Sequence, residues 1–136
     1  MDQAGAREHL SQSLVARLAT VGADGRPHIV PICYVLFEDT IYFAVDHKPK
    51  RAADLQRLRN IAANPSVAVL VDHYDDDWRR LWWVRADGEA RIVEAADESQ
   101  RAITLLKTRY QQYAQDPPEG PVVTIQIERV RGWSAS

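Results

Sequence analysis

Basic side chains gather where the sequence predicts that a helix begins. From about Pro49 onward the apolar positions follow helical spacing, and proline favours the first position of a helix. The bases around this start are His47, Lys48, Lys50 and Arg51. A helix start already carries partial positive charge, so bases there cost stability unless an anion neutralises them. Backbone N–H groups together with Lys50 and Arg51 therefore predict a phosphate site.

The same basic segment has a simpler interpretation. It forms a solvated surface if Asp54 pairs locally with Lys50 or Arg51. Arg57 follows Lys50 by seven residues and shares its face of the helix, roughly 10 Å away. An extended ligand that is anionic at one end would reach both positions. The spacing alone leaves the two interpretations open.

Pro31 interrupts an apolar segment, residues 28–37, that otherwise has the composition of a strand. Because proline lacks an N–H, it should break the hydrogen-bond ladder there. Backbone groups near Ile32 and Cys33 would then face something other than a neighbouring strand. The alternatives are an edge strand or a simple bulge.

Trp82 and Trp83 are adjacent on a predicted strand, where successive side chains point to opposite faces. We therefore expect at least one of them to lie outside the core. An exposed tryptophan commonly marks a ligand site or a subunit interface. The alternative is that helices cover both.

Composition and charge exclude several classes of function. The formal net charge of the 136 residues is −2, so the basic field that duplex binding requires is missing and no nucleic-acid partner is expected. No signal peptide or apolar run long enough to span a bilayer is visible, so we expect a cytoplasmic protein without a membrane partner. Cys33 is the only cysteine, which fits a reducing compartment. It is expected to be a small core residue rather than a nucleophile.

No metal site is expected. The segment DHYDDDW, residues 72–78, is acidic but lacks the central glycine of a calcium loop. The histidines show no metal-ligand spacing. We interpret the acidic segment as a solvated turn.

Hairpins dominate the elements that must position these residues. We predict a helix over 3–12, strands over 14–21, 28–37 and 40–45, a helix from about 49 to 64, strands over 66–74 and 79–94, a helix capped by Asp97, and a strand over 122–130. Asp87-Gly88 marks either a hairpin or, as we favour, a bulge within the long strand. Without βαβ alternation, the pattern favours one domain, residues 1–136, that is mainly β: an antiparallel barrel with helices packed outside.

Two patterns predict which side chains face inward. The third helix should bury Ile103, Leu106, Tyr110 and Tyr113. The last strand alternates with Val123, Ile125 and Ile127 inward.

The order and spacing of several segments resemble a known family. They run from ARLATVGADGRPHIVPICYVL through TIYFAVDHKPKRAADLQRLRNIAANPSVAVLVDHYDDDWRRLWWVRADGEARIV to ERVRGW, nearly the whole chain. The chain resembles the pyridoxamine 5′-phosphate oxidase-like (PPOX) class of flavin-binding split barrels, and most closely the branch that uses the deazaflavin coenzyme F-420. The resemblance implies a homodimeric split β-barrel with each cofactor in a groove between the subunits.

The resemblance also implies which segments contact the ring and the ribityl chain of the cofactor. The strand around Pro31, Ile32, Cys33 and Tyr34 would back the flavin-like ring, partly through main-chain contacts. The residues that would flank the ribityl chain are Val45, Asp46 and His47.

Three further assignments follow from the resemblance. Lys50 and Arg51 would hold the cofactor phosphate. Arg57 would meet the oligoglutamate tail of F-420. Trp82 or Trp83 would line the partner's side of the groove.

The activity implied is hydride transfer between the reduced deazaflavin and a small organic substrate. No covalent nucleophile is required, the catalytic residues are unknown, and Tyr34 or a water are the candidate proton donors. The alternatives are an FMN-dependent oxidoreductase, a flavin- or deazaflavin-binding protein without turnover, and a protein without a ligand in which the basic residues only form part of the solvated surface. The long, arginine-rich helix favours the F-420 branch. The terminal RGWSAS does not show the substrate-phosphate residues of true pyridoxamine phosphate oxidases.

Overall fold

The computed structural model describes residues 1–45 and 52–136, without the side chains of 52–55. Its elements are α1 (Gln3–Gln12), β1 (Ala16–Val21), β2 (Pro27–Ile32), β3 (Val35–Phe37), β4 (Thr40–Ala44), α2 (Ala52–Ala63), β5 (Ser66–His73), a 3₁₀ turn (Trp78–Arg80), β6 (Trp82–Ile92), α3 (Ala96–Arg109), α4 (Gln111–Gln115) and β7 (Val122–Ser134). None of the helices in these ranges is both long and apolar enough to cross a bilayer.

The seven strands form one antiparallel sheet in the order β2-β1-β5-β6-β7-β4-β3. β2 and β3 lie at opposite edges, although only Cys33 and Tyr34 separate them in the chain. Three residue steps span at most roughly 10–11 Å. The sheet must therefore curl until its two edges meet, which gives a barrel that stays split along that line. The prediction of an antiparallel split barrel with flanking helices is confirmed.

The prediction of one strand over residues 28–37 is wrong, because the chain changes edges within it. Ile32 and Tyr34 are 4% and 0% exposed, while Cys33 between them is exposed. The inward–outward alternation thus continues across the crossing between β2 and β3. For that reason the apolar pattern carries no sign of the break.

The predicted bulge in the long strand is confirmed. β6 pairs with β7 on both sides of a register shift between Asp87 and Gly88. A Cβ at Gly88 would lie only 2.3 Å from the carbonyl oxygen of Gln126. Glycine therefore lets β7 approach β6 closely at the bulge.

The start of α3 differs from its prediction. Ala95 stands at the N-cap position without a side-chain hydrogen bond, so Asp97 does not cap the helix. Asp97 lies instead in the first turn, where its carboxylate accepts from the Glu98 N–H at 2.9 Å and its charge suits the helix dipole. The helix breaks at Tyr110, whose backbone is extended, before the short α4.

Apolar side chains are buried on both sides of part of the sheet. The barrel interior contains Leu18, Phe43, Val69 and the predicted trio Val123, Ile125 and Ile127, all buried. A second cluster lies outside the sheet beneath α3 and is made of Tyr42, Ala44, Ala102, Leu106 and Val122. The predicted apolar face of the third helix is confirmed, because Ile103, Tyr110 and Tyr113 pack against this second cluster. Alternation along β4 and β7 supplies side chains to both layers.

Candidate functional site

The outer surface of the barrel has two halves. The covered half, on β3, β4 and the start of β7, lies beneath α3 and α4. The open half consists of the outward side chains of β2, β1, β5 and β6. Ile29 at its edge is 65% exposed, whereas Val122 on the covered half is 2% exposed.

The open half contains a groove of about 490 Å³. Binding sites for small molecules and cofactors usually measure about 300–1,000 Å³. The lining residues are Arg17, Ala19, Ile29, Ala68, Leu70, Asp72, Trp83 and Arg85. Its floor is apolar, and charged groups stand at its rim.

Strand register explains the shape of this groove. Ile29, Ala19 and Ala68 lie side by side on β2, β1 and β5. The two alanines leave a hollow between larger neighbours, since each carries only a methyl group. Leu70 and Trp83 form the wall on the other side.

The charges around the groove are paired within the chain. Arg17 contacts Asp72 at 3.3 Å between Nη1 and Oδ1. Asp87 lies between two arginines, 3.1 Å from Nε of Arg85 and 3.5 Å from Nε of Arg129. These partly exposed pairs contribute little to stability. The Arg17–Asp72 pair is neutral, whereas one carboxylate between two arginines leaves the Asp87 cluster with a net positive charge.

Pro31 lies on the outward side of β2, directly opposite Arg17 on β1. In the part of the chain that the structure describes, β2 pairs with β1 alone, so Pro31 lies in an edge strand. This agrees with one of the alternatives that its missing N–H left open. Cys33 is exposed, so the expectation that it is a core residue is wrong: it lies on the crossing rather than inside a continuous strand. The role of Pro31, Ile32, Cys33 and Tyr34 in backing a cofactor ring stays a prediction.

Tyr34 points into the barrel rather than toward the groove. Its hydroxyl donates to the carbonyl oxygen of Leu10. Burial raises the pKa of the Tyr34 phenol far above its ordinary value, so it stays neutral. The geometry therefore disfavours Tyr34 as a proton donor to a ligand in the groove.

Val45 marks one end of the basic segment and is anchored firmly. It is 1% exposed, its N–H donates to the Pro121 carbonyl at 2.9 Å, and its carbonyl accepts from the Gly120 N–H at 3.0 Å. Val45 is thus held to the turn that precedes β7. The predicted site residues Asp46, His47, Lys50 and Arg51 lie outside the described residues.

Arg57 lies on the inner side of α2 rather than on an open surface. It is 8% exposed, and its guanidinium carbon is 5.6 Å from the centre of the Phe43 ring. Its predicted contact with an oligoglutamate tail stays a prediction. At this position such a tail would have to reach a largely buried group.

The two tryptophans take different positions, as their strand requires. Trp82 packs against the barrel core and stacks on His9, with ring centres 3.9 Å apart. Trp83 lines the groove. The expectation that at least one lies outside the core is confirmed by Trp83.

Several groove residues escaped the sequence reasoning. Arg17, Ile29, Leu70 and Arg85 come from four different strands, and each follows an ordinary alternating pattern. Only the register that pairs β1 with β2 and β5, and β5 with β6, brings them together. A signal did exist in Ile29, an apolar residue on the same face of its strand as Pro31.

The solved structures that share this fold include the following three. A conserved hypothetical protein from Mycobacterium tuberculosis superposes with a TM-score of 0.79 at 25% identity, covering 99% of this chain and 86% of that one. An FAD-binding protein from Mesorhizobium loti gives 0.75 at 22% identity, with 97% and 94% covered. HutZ, the heme storage protein from Vibrio cholerae, gives 0.73 at 18% identity, with 97% and 93% covered. Because the sequence identities are low, these matches indicate a shared fold and nothing more.

Sequence comparison gives a family. A search of curated proteins found no match at the significance required. The family model described as pyridoxamine 5′-phosphate oxidase, however, matches residues 3–134. Since this match spans nearly the whole chain and the split barrel agrees with it, the chain belongs to the pyridoxamine 5′-phosphate oxidase family.

Proposed function

We propose that this chain is an F-420-dependent oxidoreductase that binds its deazaflavin in a groove between two copies of the chain. It transfers a hydride between the reduced cofactor and a small organic substrate. The observation that supports this best is the apolar groove on the open half, with Trp83 in its wall and the edge strand carrying Pro31 beside it.

The groove residues fit a flat heteroaromatic ring. Ile29, Leu70 and Trp83 offer apolar and aromatic surface against which such a ring packs. Arg17 and Arg85 at the rim supply donors to the polar edge of the ring or to an anionic group. The combination of an apolar floor with a few polar groups is typical of cofactor sites.

A second copy of the chain would complete the groove. Ile29 is 65% and Trp133 is 45% exposed on the outer surface, which leaves apolar area to be covered. The Arg17–Asp72 pair is already neutralised, and the net positive charge of the Asp87 cluster would have to meet an acidic side chain or an anionic ligand when it is covered. We therefore propose a homodimer in which the open halves face each other about a two-fold axis.

The phosphate of the cofactor is assigned to Lys50 and Arg51. The described residues that flank this segment are Val45, which is held by two backbone hydrogen bonds, and Ala52, with which α2 begins. Asp46 and His47 would follow the ribityl chain from there. Arg57 is the candidate for the oligoglutamate tail, and Trp83 is favoured over Trp82 for the partner's wall of the groove.

In this mechanism the bound cofactor supplies the hydride chemistry. The chain's own residues would hold the ring against Trp83 and Leu70, and the meeting of the two open halves would limit the access of bulk water. With the Tyr34 phenol bonded to the Leu10 carbonyl, the proton for the product comes from water. A cytoplasmic location suits a chain whose single thiol, Cys33, is exposed.

Titrating the purified protein with F-420 and with FMN tests the proposal, with fluorescence quenching as the readout. Tighter binding of F-420 supports it, and tighter binding of FMN favours the FMN-dependent alternative. Tight binding without hydride transfer to a panel of quinones, tetrapyrroles and enones would indicate a binding protein without turnover. Failure to bind either cofactor overturns the proposal.

A double variant tests the phosphate assignment separately. Lys50→Ala with Arg51→Ala should weaken binding strongly, because each charge-assisted hydrogen bond contributes about 1.5–3 kcal/mol. Arg79→Ala with Arg80→Ala is the matched control, since it removes two exposed bases from the 3₁₀ turn. Unchanged affinity in the first double variant would refute the assignment.

A further inference from the structure

The phenol of Tyr110 hydrogen-bonds to the backbone at the crossing between β2 and β3. Its oxygen accepts from the Tyr34 N–H at 3.0 Å. Its hydroxyl also lies 3.0 Å from the carbonyl oxygen of Tyr34 and 2.7 Å from that of Leu14. The hydroxyl has a single proton and its shorter contact is with Leu14, so the hydrogen bond that holds Tyr34, which belongs to neither strand, is the one from its N–H.

These contacts determine the direction of a neighbouring carbonyl group. The carbonyl of Cys33 and the N–H of Tyr34 belong to one planar peptide unit, and the described chain has no cis peptide bond. In a trans peptide the two groups point in opposite directions. By holding the Tyr34 N–H, Tyr110 therefore directs the Cys33 carbonyl away from the α3–α4 junction.

Tyr110 is itself held in place. It lies between α3 and α4 with an extended backbone, and the Tyr113 ring packs edge-on against it at 5.6 Å. The Arg109 guanidinium lies 5.7 Å from the Tyr110 ring and 5.7 Å from the Tyr34 ring. Arg109 also donates to the Ser13 carbonyl just after α1. Three parts of the chain thus meet at this one crossing.

We propose that Tyr110 is a positioning residue for the cofactor: it orients the Cys33–Tyr34 peptide so that the Cys33 carbonyl faces the bound ring as an acceptor. The inference rests on the proposed function, because it assumes a flavin-type ring beside residues 31–34. Tyr110 contacts the cofactor only through this peptide. Its loss should therefore change affinity and the surroundings of the ring more than it changes the fold.

Tyr110→Phe tests this, because it removes the hydroxyl and keeps the ring. We expect its affinity for F-420 or FMN to fall about tenfold, the size of one lost hydrogen bond. The visible absorption band of the bound cofactor should shift as well, because a polar group beside the ring changes direction. The matched control is Tyr42→Phe, which removes phenol contacts to Glu98 at 3.4 Å and Arg101 at 3.1 Å on the same helix α3. The control should bind within about twofold of wild type.

The outcomes separate this inference from the proposed function. If wild type binds neither cofactor, the proposed function is wrong and the inference falls with it. If wild type binds and Tyr110→Phe binds equally well with the same absorption band, only the inference is overturned. An equal loss in both variants would also overturn it, because it would indicate general loosening of α3.

Hydrogen exchange on the wild-type protein gives a second test that needs no variant. The Tyr34 amide should exchange at least about a hundredfold more slowly than an open loop amide, since its N–H is bonded and its residue is buried. Exchange at the rate of an exposed loop would overturn the inference even if Tyr110→Phe fails to fold.

Discussion

The covered and open halves of the outer surface come from the same sheet but differ in what lies over them. Val122, Ala44 and Tyr42 on the covered half are 2%, 7% and 2% exposed because α3 packs on them. Ile29 on the open half is 65% exposed. Strand alternation places apolar residues on both halves. The sequence pattern of a strand therefore predicts that an outward face will be buried, but it does not identify the helix, ligand or second chain that buries it. We propose that α3 covers one half and that a ligand and a second copy of the chain cover the other.

The largest effect on stability is expected on the covered half, where α3 of the same chain packs on the sheet. Leu106→Ala should lower the free energy of unfolding by about 2–5 kcal/mol, because Leu106 is 0% exposed and its loss leaves a cavity beneath α3. Urea denaturation followed by circular dichroism measures this. Lys107→Ala, an exposed neighbour on the same helix, should change stability by less than about 0.5 kcal/mol. An equally small loss for Leu106→Ala would mean that α3 is not firmly packed.

On the open half, a charge should act on association rather than on folding. Ile29→Asp should weaken dimerisation about a hundredfold or more, because the proposed interface would bury an unpaired carboxylate. Sedimentation equilibrium measures the dissociation constant. Phe37→Asp on β3 is the matched control, because Phe37 is also exposed, at 38%, but lies on the other half. A dimer that Ile29→Asp leaves intact would place the interface elsewhere.

Within the open half, Trp83 should contribute more to the affinity for the cofactor than an exposed tryptophan outside the groove does. Trp83→Ala should weaken cofactor binding at least about tenfold, because it removes the aromatic wall of the groove. Fluorescence titration with the cofactor measures this. Trp78→Ala, which alters a 67% exposed side chain on the 3₁₀ turn, should leave the affinity unchanged. Equal losses in both variants would contradict the groove as the site.

The smallest effect is expected at the crossing that joins the two halves, and only at alkaline pH. Burial raises the pKa of the Tyr34 phenol in the folded chain, while the unfolded value stays near about 10. The contribution of Tyr34 is therefore fully present below about pH 10 and is lost as pH rises further, by up to about 1.4 kcal/mol per pH unit. Tyr34→Phe should unfold less steeply than wild type between about pH 10 and 11. Urea denaturation across this range measures it, and Tyr74→Phe, a change at a 69% exposed tyrosine, should keep the wild-type slope.

Local chemistry made parts of the fold predictable. Gly88 within an alternating segment indicated the bulge, because glycine marks a close backbone approach. The period of the third helix identified Leu106 as buried. The crossing at Cys33 and Tyr34 was missed, because the alternation of exposed and buried residues runs through it unchanged.

The groove could not be predicted from any one segment. Ala19 and Ala68 are neighbours only through the pairing of β1 with β5, two strands that are far apart in the sequence. Small residues are ordinary within a strand, and they form a hollow only when register places them side by side. The proposed phosphate ligands Lys50 and Arg51 came from local reasoning about a helix start, and they remain a prediction.

The strand order also has a consequence for how the molecule assembles. β7 lies between β6 and β4, yet it follows the other six strands of the sheet in the sequence. Until it arrives, β3 and β4 have only each other as partners, and an isolated two-stranded hairpin is at best marginally stable in water. Pairing β4 with β7 joins segments about 80 residues apart, a kind of contact that slows folding. The barrel of a ribosome-bound chain should therefore stay open until β7 emerges. Until then the sheet consists of two separate parts, β2-β1-β5-β6 and β4-β3, whose unpaired edges are available to chaperones.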